Sequence, residues 1–336
     1  MTKKKWIVVA FALILLVAAS LSNIYRPETD NKESEDTLYD KRFQSLLGLD
    51  AEFSEKIREE GSADERILVI PIQGPISSFS TTYNHELIMD TIEKIPEDDS
   101  IKAILFELNT PGGSVYETRE AYDLFKEIKK ELDLPVYASM ANVAASGGFY
   151  YAMLADKVYA SPETITGSIG VIAGGSNFEE LYKKIGIENY VYKSGDLKDM
   201  GSSDRPPTAE EKKVLQTYID EAFNRFVQVV VDGRGMSEER VRELADGRIY
   251  TASQAKENGL IDDIKYYREV IEIIRQEQDL QNAQVFERVA SEDKFRSLFP
   301  PFISSETNYV DQFNQILDRV DSEGRFNIEY RWEGGM

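Results

Sequence analysis

Between residues 67 and 264, short apolar runs alternate with stretches of helical period. That alternation restricts the chain to an α/β fold with a largely parallel sheet and flanking helices. ILVIPI at 67–72 reads as a buried strand by its length and branching, and Gln73-Gly74-Pro75-Ile76 turns the chain after it. A helical pattern opens at His85 and runs to Ile95. The next strand, 101–108, ends in Asn109-Thr110-Pro111-Gly112-Gly113-Ser114-Val115, ahead of an amphipathic helix over 117–131. A third strand covers 136–140. Strand-like pieces follow at 157–160, 167–172 and 187–192, with an edge strand at 260–264. Helices are predicted over 178–185 and 237–245, and a short one is capped by Thr251-Ala252-Ser253-Gln254 and ended by Gly259. The longest starts at the capping box Thr208-Ala209-Glu210-Glu211. Its apolar face carries Val214, Leu215, Tyr218, Ile219, Ala222, Phe223, Phe226, Val227 and Val230.

The flanks differ from this core. Lys3, Lys4 and Lys5 precede a charge-free run from Trp6 to Tyr25, which at about 1.5 Å per residue just crosses a hydrocarbon core of about 30 Å. Lysines before it and an acidic segment after it predict a single-pass anchor in membrane lipid, with residues 1–5 cytoplasmic and the rest outside. The alternative is a cleaved signal peptide with Ala18-Ala19-Ser20 as its site; apolar character continuing through Leu21 and Ile24 favours the anchor. Residues 26–65 read as a tether that becomes an amphipathic helix near 41–60. The folded domain then covers 66–275. Residues 276–336 read as a tail, partly extended or disordered, interrupted by Phe299-Pro300-Pro301-Phe302 and ending in the β-prone FNIEYRWEGGM.

Net charge is −21, from 39 basic and 60 acidic residues, so nucleic acid is excluded as a partner. The absence of cysteine removes disulfides, a thiol nucleophile and thiolate-held metal. His85 is the single histidine, which removes a His-rich metal site. Its flank HELIMD reads as surface or capping, not as part of a triad. No metal or cofactor is expected.

Within these limits one stretch stands out. The strand at 136–140 runs through Ala-Asn-Val-Ala-Ala into Ser146-Gly147-Gly148 and an aromatic helix reaching about Ala155. A serine at a strand-to-helix turn presents its hydroxyl at the positive end of a helix dipole, and small neighbours let a substrate backbone approach. The plainer reading is a serine N-cap with packing glycines. The stretch is not a G-x-S-x-G elbow, because Ala144 stands where the first glycine would be. The Pro111-Gly112-Gly113 turn is either a plain loop or a way to bare backbone N–H groups. Without a usable histidine, a serine nucleophile needs another base, either a carboxylate, which is plentiful here but rarely found beside serine, or a lysine. A lysine serves if desolvated: at a pKa of about 10.4 only about one in two thousand is neutral at pH 7, and burial lowers it by several units. Lys157, Lys193 and Lys198 are rival candidates.

The runs NTPGGSV, MANVAASGGFYYAMLADKVYASPETITGSIGVI, SGDLKDMGSSDRPPTAEE and DGRIYTASQAKENGLIDDI occur in order over about 67–264. Together they resemble the signal peptide peptidase A family of membrane-bound Ser/Lys proteases, in its short, single-core form. The resemblance implies a crotonase/Clp-protease-like fold, a ring-shaped homo-oligomer, and cleavage of hydrophobic peptides, remnant signal peptides above all, at the outer membrane face. It implies Ser146 as nucleophile, Lys198 (not Lys193) as general base, Gly113 and Gly147 as oxyanion donors, and Ser168 as a hydroxyl that orients the lysine. In the short form the dyad meets across a subunit boundary, which leaves open whether Ser146 and Lys198 belong to one chain. An alternative within the same fold is acyl-CoA chemistry, with the glycine N–H pair holding a thioester enolate. A catalytically silent anchored scaffold is the third reading.

Overall fold

The apolar runs are contiguous because the sheet is covered on both faces. In 67–72, Leu68, Ile70 and Ile72 belong to one apolar cluster and Ile67 and Val69 to another. The same parity separates Ile104, Phe106 and Leu108 from Ala103 and Leu105. A strand sandwiched in this way has no solvent face to make polar.

The computed structural model describes residues 53–290 and 327–331. In chain order it runs β1 (Phe53–Glu59), β2 (Ser62–Gln73), α1 (His85–Lys94), β3 (Ile101–Thr110), β4 (Gly112–Ser114) and α2 (Val115–Glu131). There follow β5 (Val136–Ala145), α3 (Gly147–Ala152), β6 (Lys157–Ala160), β7 (Ile165–Gly167), β8 (Ile172–Gly174) and α4 (Glu179–Ile185). Then come α5 (Ala209–Arg234), α6 (Glu238–Leu244), β9 (Ile249–Thr251), α7 (Ala252–Glu257), β10 (Asp263–Ile264), α8 (Tyr267–Glu277), β11 (Ala283–Ala290) and β12 (Asn327–Arg331). The main sheet has the order β1-β11-β2-β3-β5-β6-β10 and is parallel from β11 to β10; β1 joins antiparallel. Helices α1, α2, α3 and α5 supply one face through residues such as Ile92, Phe125, Phe149 and Phe226. Helix α8 covers the other with Val270, Ile271 and Ile274.

The expected α/β fold is therefore present, with a mixed rather than wholly parallel sheet. Both capping boxes form as the sequence predicts, Thr208 with Glu211 and Thr251 with Gln254. The cytoplasmic stretch 1–5, the span from Trp6 to Tyr25 and the tether to residue 52 lie outside the described residues, as do 291–326 and 332–336 of the tail. Among the described residues no helix is long and apolar enough to cross a membrane.

Several expectations are corrected. Where a helix was expected over 41–60, the described part is strand β1. Its Lys56 and Arg58 pair with Glu287 of β11 at 2.8 and 2.5 Å, and Arg58 reaches Glu107 of β3 at 2.8 Å. The strand is held by its antiparallel ladder with β11, to which these ion pairs add, and not by an apolar period. The tail does not begin at 276: β11 pairs with β2, and its Ala283, Val285 and Phe286 are buried. The piece at 167–172 is strand only at its ends, because Ser168 turns to φ 49° and leaves the ladder. Residues 187–192 form no strand; they are exposed and have no neighbouring strand among the described residues. In the first half of α5, Val214 and Tyr218 are 42% and 49% exposed, so the apolar face drawn from the sequence is buried only from Ala222 onward.

Candidate active site

Strand β5 forks. Tyr137–Met140 pair with β6, whereas Val143, Ala144 and Ala145 pair with Ile165, Thr166 and Gly167 of β7. The fork carries the chain beyond Met140, where the sequence pattern ended, and delivers Ser146 at the strand tip. Ser146 has φ 53° and ψ −114°, a conformation that costs a non-glycine residue about 1–3 kcal/mol. Its N–H donates to Gly167 O at 2.8 Å, and its carbonyl accepts from Tyr150 N–H at 2.9 Å. The backbone is thus clamped from both sides.

Ser146 occupies the N-cap position of α3, yet its hydroxyl makes no capping bond. The Oγ is buried and has no hydrogen-bond partner among the described residues. A capping serine would accept from the first turn of its helix. This one is held in a strained backbone with its hydroxyl uncommitted, which is not the arrangement of a structural cap. Ser168 follows β7 as Ser146 follows β5, one residue past the Ala145–Gly167 pair, and it too has positive φ, 49°. The two hydroxyl residues therefore leave adjacent strand ends together.

The Pro-Gly-Gly turn lies beside this tip. A methyl group added to Gly147 would stand 3.2 Å from Gly112 Cα, 3.1 Å from Ile76 Cδ1 and 3.0 Å from Thr118 Oγ1. Gly113 is tighter, with the Ile76 carbonyl oxygen 2.1 Å from where its Cβ would be. The 76–78 segment is laced to the turn: Ile76 N–H donates to Gly112 O at 2.9 Å, and Ser114 N–H donates to Ile76 O at 2.8 Å. Glu117, in the first turn of α2, closes the lacing by accepting from the Ser114 hydroxyl and from the N–H and hydroxyl of Ser78. Burial pushes the Glu117 carboxyl up, but the Ser114 and Ser78 hydrogen bonds outweigh it and hold the group below its usual range. Sequence reading missed Glu117, although Ser114-Val115-Tyr116-Glu117 has the S-x-x-E spacing of a capping box.

An extended segment of the chain itself runs through this region. Strand β12 lies antiparallel between β4 and β8, with Tyr330 opposite Gly113 and Glu329 opposite both Ser114 and Ile172. Next to Ser168, a cavity of about 450 Å³ is lined by Val171, Ile172, Ile219, Phe223 and Asp246.

Ser146, Ser168, Gly113 and Gly147 are thus brought together, and Lys198 is not. Lys198 is exposed, and among the described residues its ammonium has no hydrogen bond or ion pair. It sits in a turn tied back to α5 by Arg205, which bridges Asp199 at 2.7 Å and Glu211 at 2.5 Å. Lys193 is held by Asp199 at 2.8 Å and by the Asp196 carbonyl. Lys157 is held by Glu277 at 2.5 Å, a contact that raises its pKa. Of the three rival lysines, only Lys198 lacks an anionic partner among the described residues. His85 is not the N-cap of α1; Asn84 is. The ring lies between Tyr83 at 2.9 Å and Glu120 at 2.8 Å, so both nitrogens are engaged.

Comparison with known proteins bears on this geometry. The family model described as peptidase family S49 matches residues 128–281, which include Ser146, Ser168 and Lys198. A provisionally named signal peptide peptidase SppA of Enterococcus faecium is 40% identical over 294 residues, covering 85% of each chain. A provisionally named protease of Synechocystis is 39% identical over 201 residues, 60% of this chain and 70% of that one. Protease 4 of Haemophilus influenzae is 31% identical over 228 residues, 66% of this chain but 37% of its own greater length.

Proposed function

The chain belongs to peptidase family S49, a family of Ser/Lys-dyad serine proteases, and from that premise we propose a membrane-anchored endopeptidase that cleaves remnant signal peptides and other hydrophobic peptides at the outer membrane face. The observation that carries the reading is the seating of β12. An extended backbone lies antiparallel between β8 and β4, whose Gly112 packs against Gly147, and the preceding Ser146 hydroxyl is buried with no partner among the described residues. Strand addition of this kind is how a protease holds a peptide whatever its side chains. The fold expected of the family, crotonase- and Clp-protease-like, is consistent with the mixed sheet. The anchor rests on the charge-free run from Trp6 to Tyr25.

In the proposed reaction Ser146 Oγ attacks the peptide carbonyl carbon while neutral Lys198 takes the hydroxyl proton. The carbonyl oxygen becomes an oxyanion held by the N–H groups of Gly113 and Gly147. The C–N bond breaks as Lys198 returns the proton to the leaving amine. Water, deprotonated by the same lysine, then releases the acyl group. Ser168, beside Ser146 at the adjacent strand end, orients the lysine.

Lys198 reaches Ser146 from a neighbouring copy. Three observations support this: the unpartnered Ser146 hydroxyl, the exposed and unpaired Lys198, and the apolar surface next to it. Leu181, Ile185, Tyr190 and Tyr192 are exposed on the segment leading to Lys198, and Val214 and Tyr218 on the helix after it. Exposed apolar side chains concentrated in this way mark an interface, and a ring satisfies it with one repeated contact. Docking would also strip water from Lys198, as a lysine base requires. Acyl-CoA chemistry needs no strained serine with an idle hydroxyl and is the weaker reading.

The test is the fate of the chain's own end. Purified wild-type protein is expected to take up one fluorophosphonate at Ser146 and, on prolonged incubation, to lose mass from its C-terminus. Ser146→Ala is expected to do neither. Equal C-terminal masses, with no labelling of the wild type, would rule the peptidase reading out for this site.

A further inference from the structure

The Glu117 carboxylate belongs to no step of the proposed reaction, yet it ties together the two segments that frame one of its oxyanion donors. One oxygen accepts from the Ser78 N–H at 3.2 Å and from the Ser78 hydroxyl; the other accepts from the Ser114 hydroxyl. Glu117 is 7% exposed. At the N-cap of α2, Ser114 would ordinarily give its N–H to the glutamate three residues on. Here that N–H goes to Ile76 O, and the Ser114 side chain goes to Glu117 in its place. The capping box is rewired so that the helix end holds the 76–78 segment as well as itself. Gly113 is threaded between them, with no room for a side chain against Ile76. The next residue, Thr118, donates to Ser114 O at 2.7 Å and lies against Gly147, so the same helical turn touches both donor segments.

We propose that Glu117 is a positioning residue: through Ser114 and Ser78 it fixes the Gly113 N–H at the distance from Ser146 that a developing oxyanion needs. This rests on the reading of Gly113 as an oxyanion donor. A glutamate serves where an apolar residue would not, because three donors converge on its buried carboxylate and an apolar side chain would offer them no acceptor. Glutamine keeps the Ser78 contacts through its carbonyl oxygen but turns its NH₂ toward Ser114, whose hydroxyl proton then has no acceptor. Glu117→Gln therefore loosens the turn and leaves the surrounding packing in place.

The experiment compares two probes on the full-length protein: a hydrophobic tripeptide aldehyde and the primary alcohol of the same sequence. Ser146 Oγ adds to the aldehyde carbon, the serine proton passes to Lys198, and the carbonyl oxygen takes the negative charge that the donors hold. The alcohol fills the same cleft without forming that charge. Wild-type protein is expected to prefer the aldehyde by at least about 100-fold. Glu117→Gln is expected to cut that preference by about tenfold and kcat by a similar factor, since the donor is displaced but not deleted. Alcohol affinity and KM are expected to change far less than the aldehyde preference, within about twofold, because the alcohol develops no charge for the Gly113 N–H to hold. Ser114→Ala, which removes one link and leaves the carboxylate on Ser78, gives the same readout if Glu117→Gln does not fold. A full aldehyde preference in these variants overturns the role of Glu117, as does equal weakening of aldehyde and alcohol, the mark of a merely structural residue. If the wild type itself shows no preference for the aldehyde, the oxyanion reading fails first and takes this inference with it.

Discussion

Lys198→Arg is expected to lower kcat/KM for a hydrophobic peptide by about 10³-fold or more, the scale of a lost general base. The guanidinium keeps the charge and much of the reach of the ammonium, but it stays protonated and cannot accept the Ser146 proton. The neighbouring lysines are built differently. Lys193 is fixed to Asp199 at 2.8 Å and Lys157 to Glu277 at 2.5 Å. A carboxylate at that distance stabilises the charged ammonium, the opposite of what a base requires. Lys193→Arg preserves its ion pair and is expected to cost less than about threefold, the level of an exposed pair remade. Asp199, next to Lys198 in sequence, is occupied by Arg205 and Lys193, which hold its carboxyl far below the usual range. It is not offered to Lys198. Steady-state kinetics of the two variants, with fluorophosphonate titration of active sites, separates lost chemistry from lost protein. Near-normal turnover in Lys198→Arg would remove the dyad.

Gly113→Ala is expected to lower kcat by about 10²–10³-fold, the effect of losing one oxyanion donor. The added methyl would stand 2.1 Å from Ile76 O, and that carbonyl cannot retreat because Ser114 N–H is bonded to it. The turn must move, and the Gly113 N–H moves with it. Overpacking of this kind also costs about 1–3 kcal/mol of stability, so the melting temperature is expected to fall with activity. Gly175→Ala is the control: nothing lies within 4 Å of its added carbon, and both readouts are expected to stay at the wild-type level. An active Gly113→Ala protein would exclude this turn from the oxyanion site.

Much of the fold around Ser146 was legible in the sequence because it is encoded locally. Apolar runs of strand length, the two Thr-led capping boxes and the serine at a strand-to-helix turn each need only a few neighbouring residues, and the structure has them. What escaped depends on distant partners. Nothing in FSEKIRE announces that Lys56 and Arg58 meet a glutamate more than two hundred residues on. Strand β11 is likewise disguised by Glu287 and Arg288, whose charges are answered by β1 and by Asp90. The error at 187–192 has the reverse cause: branched and aromatic residues carry strand propensity, but no strand lies beside them to complete a ladder. The same exposed apolar character is what an interface with another copy would use. Glu117 went unread because S-x-x-E predicts an ordinary cap, and only the fold reveals that the Ser114 N–H has been taken by Ile76.

The central claim is that the dyad forms between copies, and complementation measures it directly. Ser146→Ala and Lys198→Ala are each expected to be inactive alone. Co-assembled at equal amounts, they are expected to recover about a quarter of the wild-type sites, since a site needs an intact serine and an intact lysine from the adjacent subunit of a closed ring. Native mass spectrometry verifies that the rings are mixed, and fluorophosphonate labelling counts the sites that react. Labelling near that fraction is the result this account predicts. Mixed rings that stay unreactive would contradict it and return Lys198 to the chain that carries Ser146.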